Sequence, residues 1–518
     1  MLVVRKHQKL LLNLRDPDKV LTVIPTSRLV ETGGRKLVVV PHKVDEVKVL
    51  RNLGMDAPMP MRYYYEFPSG RGLTPFEHQY VTSDFLISNP KAFCLNDMGT
   101  GKTLSVLWAF DYLRQQGYLK KMLVISPLST LERTWGDEIF SNFPDMNFAV
   151  LHGTRERRHN LIEADFDVYI INHDGIKNAD TLQRLVDRKE IDLVVVDEIA
   201  SFRNAQTDRW KALRQLVASR TWVWGLTGTP TPNAPTDAWA QCRLIAPSKV
   251  PPYYSHFRDT VMKPVTKFKW APRAEALEIV KNAMQPSVRF SREECIDLPP
   301  TTYTTRHVEL SREQGTMYHE MLRKFKTELA GTEITAVNEA VKLSKLLQIC
   351  CGVAYGKSED VVIPSHGRIA LVKELIEEAQ GKVIVFVPLT GALENVAKEL
   401  RTEFSVEVVH GETSRHERDR IFGAFQRSRD PRVLVANPGT MSHGLTLTAS
   451  NTIIWFGPTN SNETYTQANA RIVRPGQTLN TLIVHIEGTS VERQIYARLQ
   501  ARGRMQGVLL DLLKGETV

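Results

Sequence analysis

At 518 residues the chain exceeds one ordinary domain, and its 42% hydrophobic and 24% charged content is that of a globular protein. No apolar run approaches the ~18 residues of a membrane helix, the N-terminus lacks the pattern of a secretory leader, and five scattered cysteines without a Cys-x-x-Cys pair argue against a disulfide framework or a zinc site. The net charge of +9 points to a polyanionic partner, most simply nucleic acid, and the cysteine usage to a reducing, cytoplasmic setting.

Residues 1–70 carry 12 Lys/Arg against 7 Asp/Glu, so much of the positive surplus lies in this seventh of the chain. Residues 20–24 and 36–40 read as strands joined by a turn at Gly33 and Gly34. Val44, Val47, Leu50 and Leu53, closing at Gly54, have helical spacing with a C-terminal stop. A small basic β-β-α module is expected here, with residues 58–65 as a linker whose tyrosines, Tyr63 to Tyr65, either pack or stack on bases. Over 71–247, apolar strands at 92–95, 122–125, 168–171, 193–196 and 223–226 alternate with helical segments. Such near-continuous Val/Ile/Leu runs suit a parallel sheet covered on both faces. Residues 248–365 turn helical and charged, notably at 311–326 and 339–350. The alternation returns over 366–490, at 383–387, 406–409, 433–436, 453–456 and 482–486, and 491–518 is expected to be a helix bracing one lobe. The expected class is α/β, with two tandem parallel-sheet lobes and a helical region between them.

Residues 93–103 join a short strand, a loop bearing Gly99 and Gly101, and a helix marked by Leu104, Leu107, Trp108 and Phe110. A strand, a close-approaching loop and a helix N-terminus make an anion site from amides and dipole. Asp97, Met98, Gly99, Thr100 and Gly101 would wrap nucleotide phosphates, Lys102 would reach the β and γ phosphates, and the Thr103 hydroxyl would hold Mg2+. The full pattern wants glycine where Asn96 stands. Residues 192–198 supply the complement: an apolar strand ending in Asp197, placed to hold the magnesium water shell, and Glu198, placed to orient the attacking water. Lys102, Asp197 and Glu198 together point to ATP hydrolysis.

Further strings keep one order along the chain: Gln79 after Leu73; Pro127, Trp135 and Glu138; Asp197 and Glu198 through Arg203 and Asn204; Thr227, Gly228, Thr229 and Asn233. They continue with Arg289, Arg292 and Leu298, then Gly444, and finally Gln467, Arg471, Arg474 and Gln477. Over residues 72–500 this order resembles superfamily 2 helicase motors of the Swi/Snf type, which are double-stranded DNA translocases with two RecA-like lobes. The resemblance implies a DNA-stimulated ATPase that uses ATP and Mg2+ and hydrolyses ATP between its lobes. It implies that Gln79 reads adenine, that Gly444 and Gln467 contribute to the nucleotide site, and that Pro127, Trp135, Thr227, Gly228, Thr229 and Asn233 face nucleic acid. Arg471 and Arg474, three apart and so on one helical face, are the implied arginine finger, worth ~10³-fold or more in other phosphoryl-transfer enzymes. Ala200 stands where the family carries histidine, and Thr446 replaces an asparagine. The basic N-terminal module is similar to the recognition module of HepA-related annealing helicases. The implied protein is a monomer in a bacterial or virus-infected cytoplasm that remodels forks, reanneals strands or displaces proteins in DNA repair. It would act on duplex, branched or forked DNA and have no membrane partner. Two alternatives stay open: a non-hydrolysing nucleic-acid clamp, and an RNA or single-strand helicase.

Overall fold

Strands apolar on both faces need cover on both, and such strands build two sheets in this chain. The computed structural model describes residues 1–500 apart from 33, 71, 73, 266–269, 296–298, 330–343, 355–360, 442–445 and 475. The chain forms two compact units, one of Met1–Pro230 with Pro235–Ser291 and one of Thr231–Ala234 with the residues from Arg292 onward.

The first unit is built on a seven-stranded sheet in the order Ser287–Val288, Lys91–Cys94, Trp222–Leu226, Ile191–Asp197, Lys121–Ser126, Val168–Asn172 and Phe148–Val150. All of its pairings are parallel. The register sets Leu226 opposite both Cys94 and Asp197, so three strand ends come level at the carboxyl edge. That edge is where open α/β sheets hold their ligands. Trp108, Phe110, Trp135 and Trp224 are fully buried in the surrounding core.

Residues 1–41 add a four-stranded antiparallel sheet, ordered Leu2–Val4, Lys9–Leu12, Arg35–Pro41 and Arg28–Thr32. The strand expected at 20–24 is instead part of a helix, Asp18–Val23. Its β-branched residues favoured a strand, but Pro17 presets helical φ and Asp18 suits the first turn. The expected linker 58–65 is also corrected, since Met59, Met61 and Tyr65 are buried and Met61–Tyr64 is helical. Tyr65 donates to Asp111 Oδ2 at 2.8 Å, and Tyr64 meets the His42 ring at 2.7 Å, so these tyrosines pack. Leu10, Val40, Val47 and Leu50 share one apolar cluster with Leu86, Ile87 and Trp222. The N-terminal segment is therefore part of the first unit's core.

The second unit holds a six-stranded parallel sheet in the order Thr301–His307, Thr481–Glu487, Ser450–Trp455, Lys382–Phe386, Val433–Ala436 and Val406–Val409. The region expected to stand alone at 248–365 is shared out: Ser287–Val288 edges the first sheet and Thr301–His307 the second. Of the helix expected at 339–350, residues 344–350 are helical and the rest lie outside the described residues. Residues 490–500 form a helix that braces this unit. On it, Glu492 pairs with Arg368 at 2.8 Å, both buried, and accepts from the Gly488 amide. Residues 501–518 lie outside the described residues. Among the described residues no helix is long and apolar enough to cross a membrane.

Candidate nucleotide site

The phosphate loop leaves the sheet after Cys94 and ends at a 14-residue helix, Lys102–Gln115. Gly99 and Gly101 have φ of 83° and 77°, the left-handed region where side chains are strained. No side chain caps the helix, which leaves its first amides to an anion. A Cβ at Gly101 would come within 2.1 Å of Gln79 Nε2, so the Gln79 amide sits directly on the loop. Its Oε1 accepts from the Phe76 amide at 2.9 Å, which fixes the amide's orientation. Lys102 Nζ donates to the Asn96 and Asp97 carbonyls at 2.8 and 3.0 Å. Met98, Gly99 and Thr103 are half-buried and Thr100 is buried.

Asn96 has a structural use that glycine could not serve. Its buried amide donates to Thr82 Oγ1 at 2.8 Å and accepts from the Phe290 amide at 2.9 Å. Nearby, the buried Arg289 donates to Asp97 Oδ1 at 2.6 Å and to the Leu95 carbonyl at 2.8 Å. The loop is thus stitched to the chain that follows strand Ser287–Val288. Arg289 lies 192 residues from Asp97, and no local pattern in the sequence signals that contact.

Beside the loop stands the acidic corner. Asp197 is the last residue of its strand, and Glu198 follows with φ 51° and ψ 54°, left-handed for a non-glycine residue. Such a conformation costs about 1–3 kcal/mol and gathers at functional sites. Asp197 Oδ2 accepts from Trp135 Nε1 at 3.0 Å, and Oδ1 accepts from the Glu198 amide at 3.1 Å. Glu198 Oε2 accepts from the Thr227 hydroxyl at 3.1 Å. His173 sets its Nε2 2.8 Å from the Asp197 carbonyl and its ring edge-on to Phe202. Ala200 is buried next to this cluster in sequence, so the corner is tied down without a histidine at that position.

Four residues expected to face nucleic acid lie elsewhere. Trp135, Thr227, Gly228 and Thr229 are all buried, the first two bonded to the acidic pair. A Cβ at Gly228 would lie 3.4 Å from the Met98 amide nitrogen, so segment 227–229 packs against the phosphate loop. The sequence placed these residues by motif order, which carries no sign of which way a side chain points. Pro127 is half-buried, and Asn233 is exposed and belongs to the second unit.

In the second unit, Gln467 lies on helix Asn462–Asn469 and donates to Glu463 Oε1 at 3.3 Å. The helix stops at Asn469, whose side chain accepts from Trp455 Nε1 at 3.0 Å. Arg471 and Arg474 therefore sit in the turn beyond it and share no helical face. The approaching Pro475 disfavours further helix. Arg471 is buried, with Nε donating to the Gln467 carbonyl at 2.9 Å. Arg474 is half-buried, and desolvation and then the Arg292 charge push its pKa down to about 10. Gln477 donates to the Ser450 carbonyl at 2.8 Å. Gly444 lies outside the described residues.

Among characterised sequences, the ATP-dependent helicase/translocase candidate YwqA of Bacillus subtilis is 26% identical over 79% of this chain and 46% of its own length. Protein p41 of Acyrthosiphon pisum secondary endosymbiont phage 1 is 24% identical over 85% of this chain and 99% of its own. An uncharacterized ATP-dependent helicase of Mycoplasma genitalium is 23% identical over 80% and 40%. The chain thus spans less than half of these bacterial relatives and nearly all of the phage protein. A solved Sulfolobus solfataricus SWI2/SNF2 ATPase core in complex with dsDNA is 24% identical, covering 88% of this chain and 97% of its own, with a TM-score of 0.42. The helicase conserved C-terminal domain matches residues 367–476. The SNF2-related domain matches residues 85–353, just over half of the chain, and the chain belongs to that family.

Proposed function

We propose that the chain is an ATP-driven motor that moves on duplex DNA. The observation that carries this reading is the meeting of phosphate loop, Asp197–Glu198 and Thr227 at the level ends of three neighbouring strands. The amides opening helix Lys102–Gln115 bind the phosphates, and Lys102 exchanges its two carbonyl partners for phosphate oxygens. The Gln79 amide, held by Phe76, reads the adenine. Oxygen donors from Thr103 and Asp197, completed by substrate phosphates, suit Mg2+, which commonly takes only one or two protein carboxylates. Bound there, the ion would neutralise charge between the β and γ phosphates. Glu198 orients the attacking water, with its carboxylate rotamer set by the Thr227 hydroxyl. Arg471 and Arg474 neutralise charge on the transferring phosphoryl group.

DNA is held mainly through backbone phosphates, a contact that carries little sequence information and weakens with salt. The exposed Arg28, Arg35 and Lys36 of the N-terminal sheet favour branched or forked substrates. In this reading the protein works as a cytoplasmic monomer in DNA remodelling. The test is ATP turnover with duplex DNA, forked DNA, single-stranded DNA or RNA. Duplex and forked DNA are expected to stimulate most, and Arg28→Glu with Lys36→Glu to erase the preference for forks. Stimulation by RNA alone, or no turnover under any condition, would overturn the reading.

A further inference from the structure

The arm between strand Lys121–Ser126 and helix Asp137–Asn142 touches the acidic corner at one point. Residues Leu131–Gly136 form a turn of π-helix, a rare geometry that marks functional sites more often than chance. That wide turn drives Trp135 into the core, fully buried, with its indole N–H on Asp197 Oδ2 at 3.0 Å. An indole nitrogen can only donate, so this contact suits the ionised carboxylate in one rotamer. The same arm carries large apolar side chains at the surface: Leu128 is 56% and Phe140 81% exposed, one on each side of the turn. One short, unusual element therefore has two exposed apolar residues and one buried donor on a carboxylate assigned to the metal.

We infer that Trp135 is the positioning residue through which occupancy of the 127–140 arm sets the geometry of Asp197. The inference rests on the proposed function, which makes duplex DNA the occupant. Movement of the arm stretches or aligns the indole–carboxylate bond, and a hydrogen bond to a charged group is strong enough to change metal-dependent binding by about tenfold. DNA on the arm would then tighten the site for metal-bound nucleotide before any bond in ATP breaks.

The test uses the full chain and a fluorescent ADP analogue, titrated with Mg2+ with and without a duplex of ~40 base pairs. In the unaltered protein, duplex DNA is expected to lower the Mg2+ midpoint for nucleotide binding. Trp135→Phe keeps the ring and removes the donor. It is expected to raise the midpoint about tenfold and abolish its response to DNA, with metal-free nucleotide affinity unchanged. A Trp135→Phe protein with the unaltered midpoint and DNA response overturns the inference. Should that variant fold poorly, Phe140→Ala, a surface change, is expected to weaken the DNA response alone; a full response there overturns the inference. If DNA accelerates turnover in the unaltered protein without moving the Mg2+ midpoint, this inference fails and the proposed function stands. If DNA accelerates nothing, the proposed function fails first.

Discussion

The two units hold their functional charges in contrasting ways. In the first, the acidic pair is oriented by side chains from separate parts of the chain: Trp135 on Asp197, Thr227 on Glu198, and Arg289 on Asp97 of the adjoining loop. In the second, positive charge gathers in a turn, where desolvation and Arg292 make protonation of Arg474 less favourable. The first is built as a fixed frame for a metal and a water. The second is an electrostatic load that eases when an anion arrives, because an opposite charge favours the charged form. The frame should therefore be sensitive to geometry, and the turn to charge.

The largest expected effect tests the frame's centre. Glu198→Gln keeps the shape and should lower kcat about 10³–10⁴-fold with nucleotide affinity intact, as loss of a general base does. Normal hydrolysis in that variant would remove Glu198 from its role. For the turn, Arg474→Ala should lower kcat about 10³-fold and leave ATP affinity near that of the unaltered protein, while Arg474→Lys, which restores charge without the planar fork, should recover part of it. If Lys recovers nothing, geometry rather than charge governs the turn, and the contrast between the units collapses.

Stability separates the units next. Arg289→Met leaves Asp97 without its buried guanidinium partner and should cost about 3 kcal/mol in the first unit. Asn96→Gly, which removes two buried hydrogen bonds, should cost about 2 kcal/mol. Thermal unfolding would show both in the first unit's transition only. Loss in both transitions would mean that the strap serves more than the loop.

The smallest effects are opposite in sign. Desolvation raises the Asp84 carboxyl of the first unit to about 7, against the pull of Arg62 and Arg51. The folded unit then binds more protons than the unfolded chain between the ordinary carboxyl range and pH 7, so its stability falls as pH rises through that window. His485 of the second unit, buried against Tyr465 and Tyr496, is pushed down to about 4 by desolvation. There the unfolded chain binds more protons between about pH 4 and 6.5, so stability falls as pH drops. Moving from pH 7.5 to 5.5 should raise the first transition and lower the second, each by about 2–4 °C. Asp84→Asn and His485→Gln should each flatten one response. Parallel shifts would show that other groups dominate.

Much of this arrangement was legible in the residues. The apolar runs at 122–125, 193–196 and 433–436 could form little but buried parallel strands, and they do. The phosphate loop and the acidic pair followed from chemistry at fixed spacing. Phe148–Val150 and Ser287–Val288 escaped because two or three residues hold no periodicity, and their place depends on a neighbouring edge. Val20 to Val23 show the opposite fault, where β-branched composition lost to a proline start. Trp135 and Thr227 were placed in the right motifs and given the wrong direction. Burial is decided by the whole sheet, and motif spacing does not encode it. The Arg289–Asp97 contact was hidden for the same reason, since only the closed sheet edge brings its halves together.

The left-handed backbone at Glu198 carries a practical consequence for anyone trying to make a hardier version of this protein. Glycine adopts that conformation freely, so Glu198→Gly would relieve the local strain, and a screen scored on heat resistance alone would favour it. The same change removes the carboxylate that orients water. Stability-guided improvement of this motor would thus drift towards inert protein unless turnover is scored in the same round. Residue 198 is best held fixed in any such library.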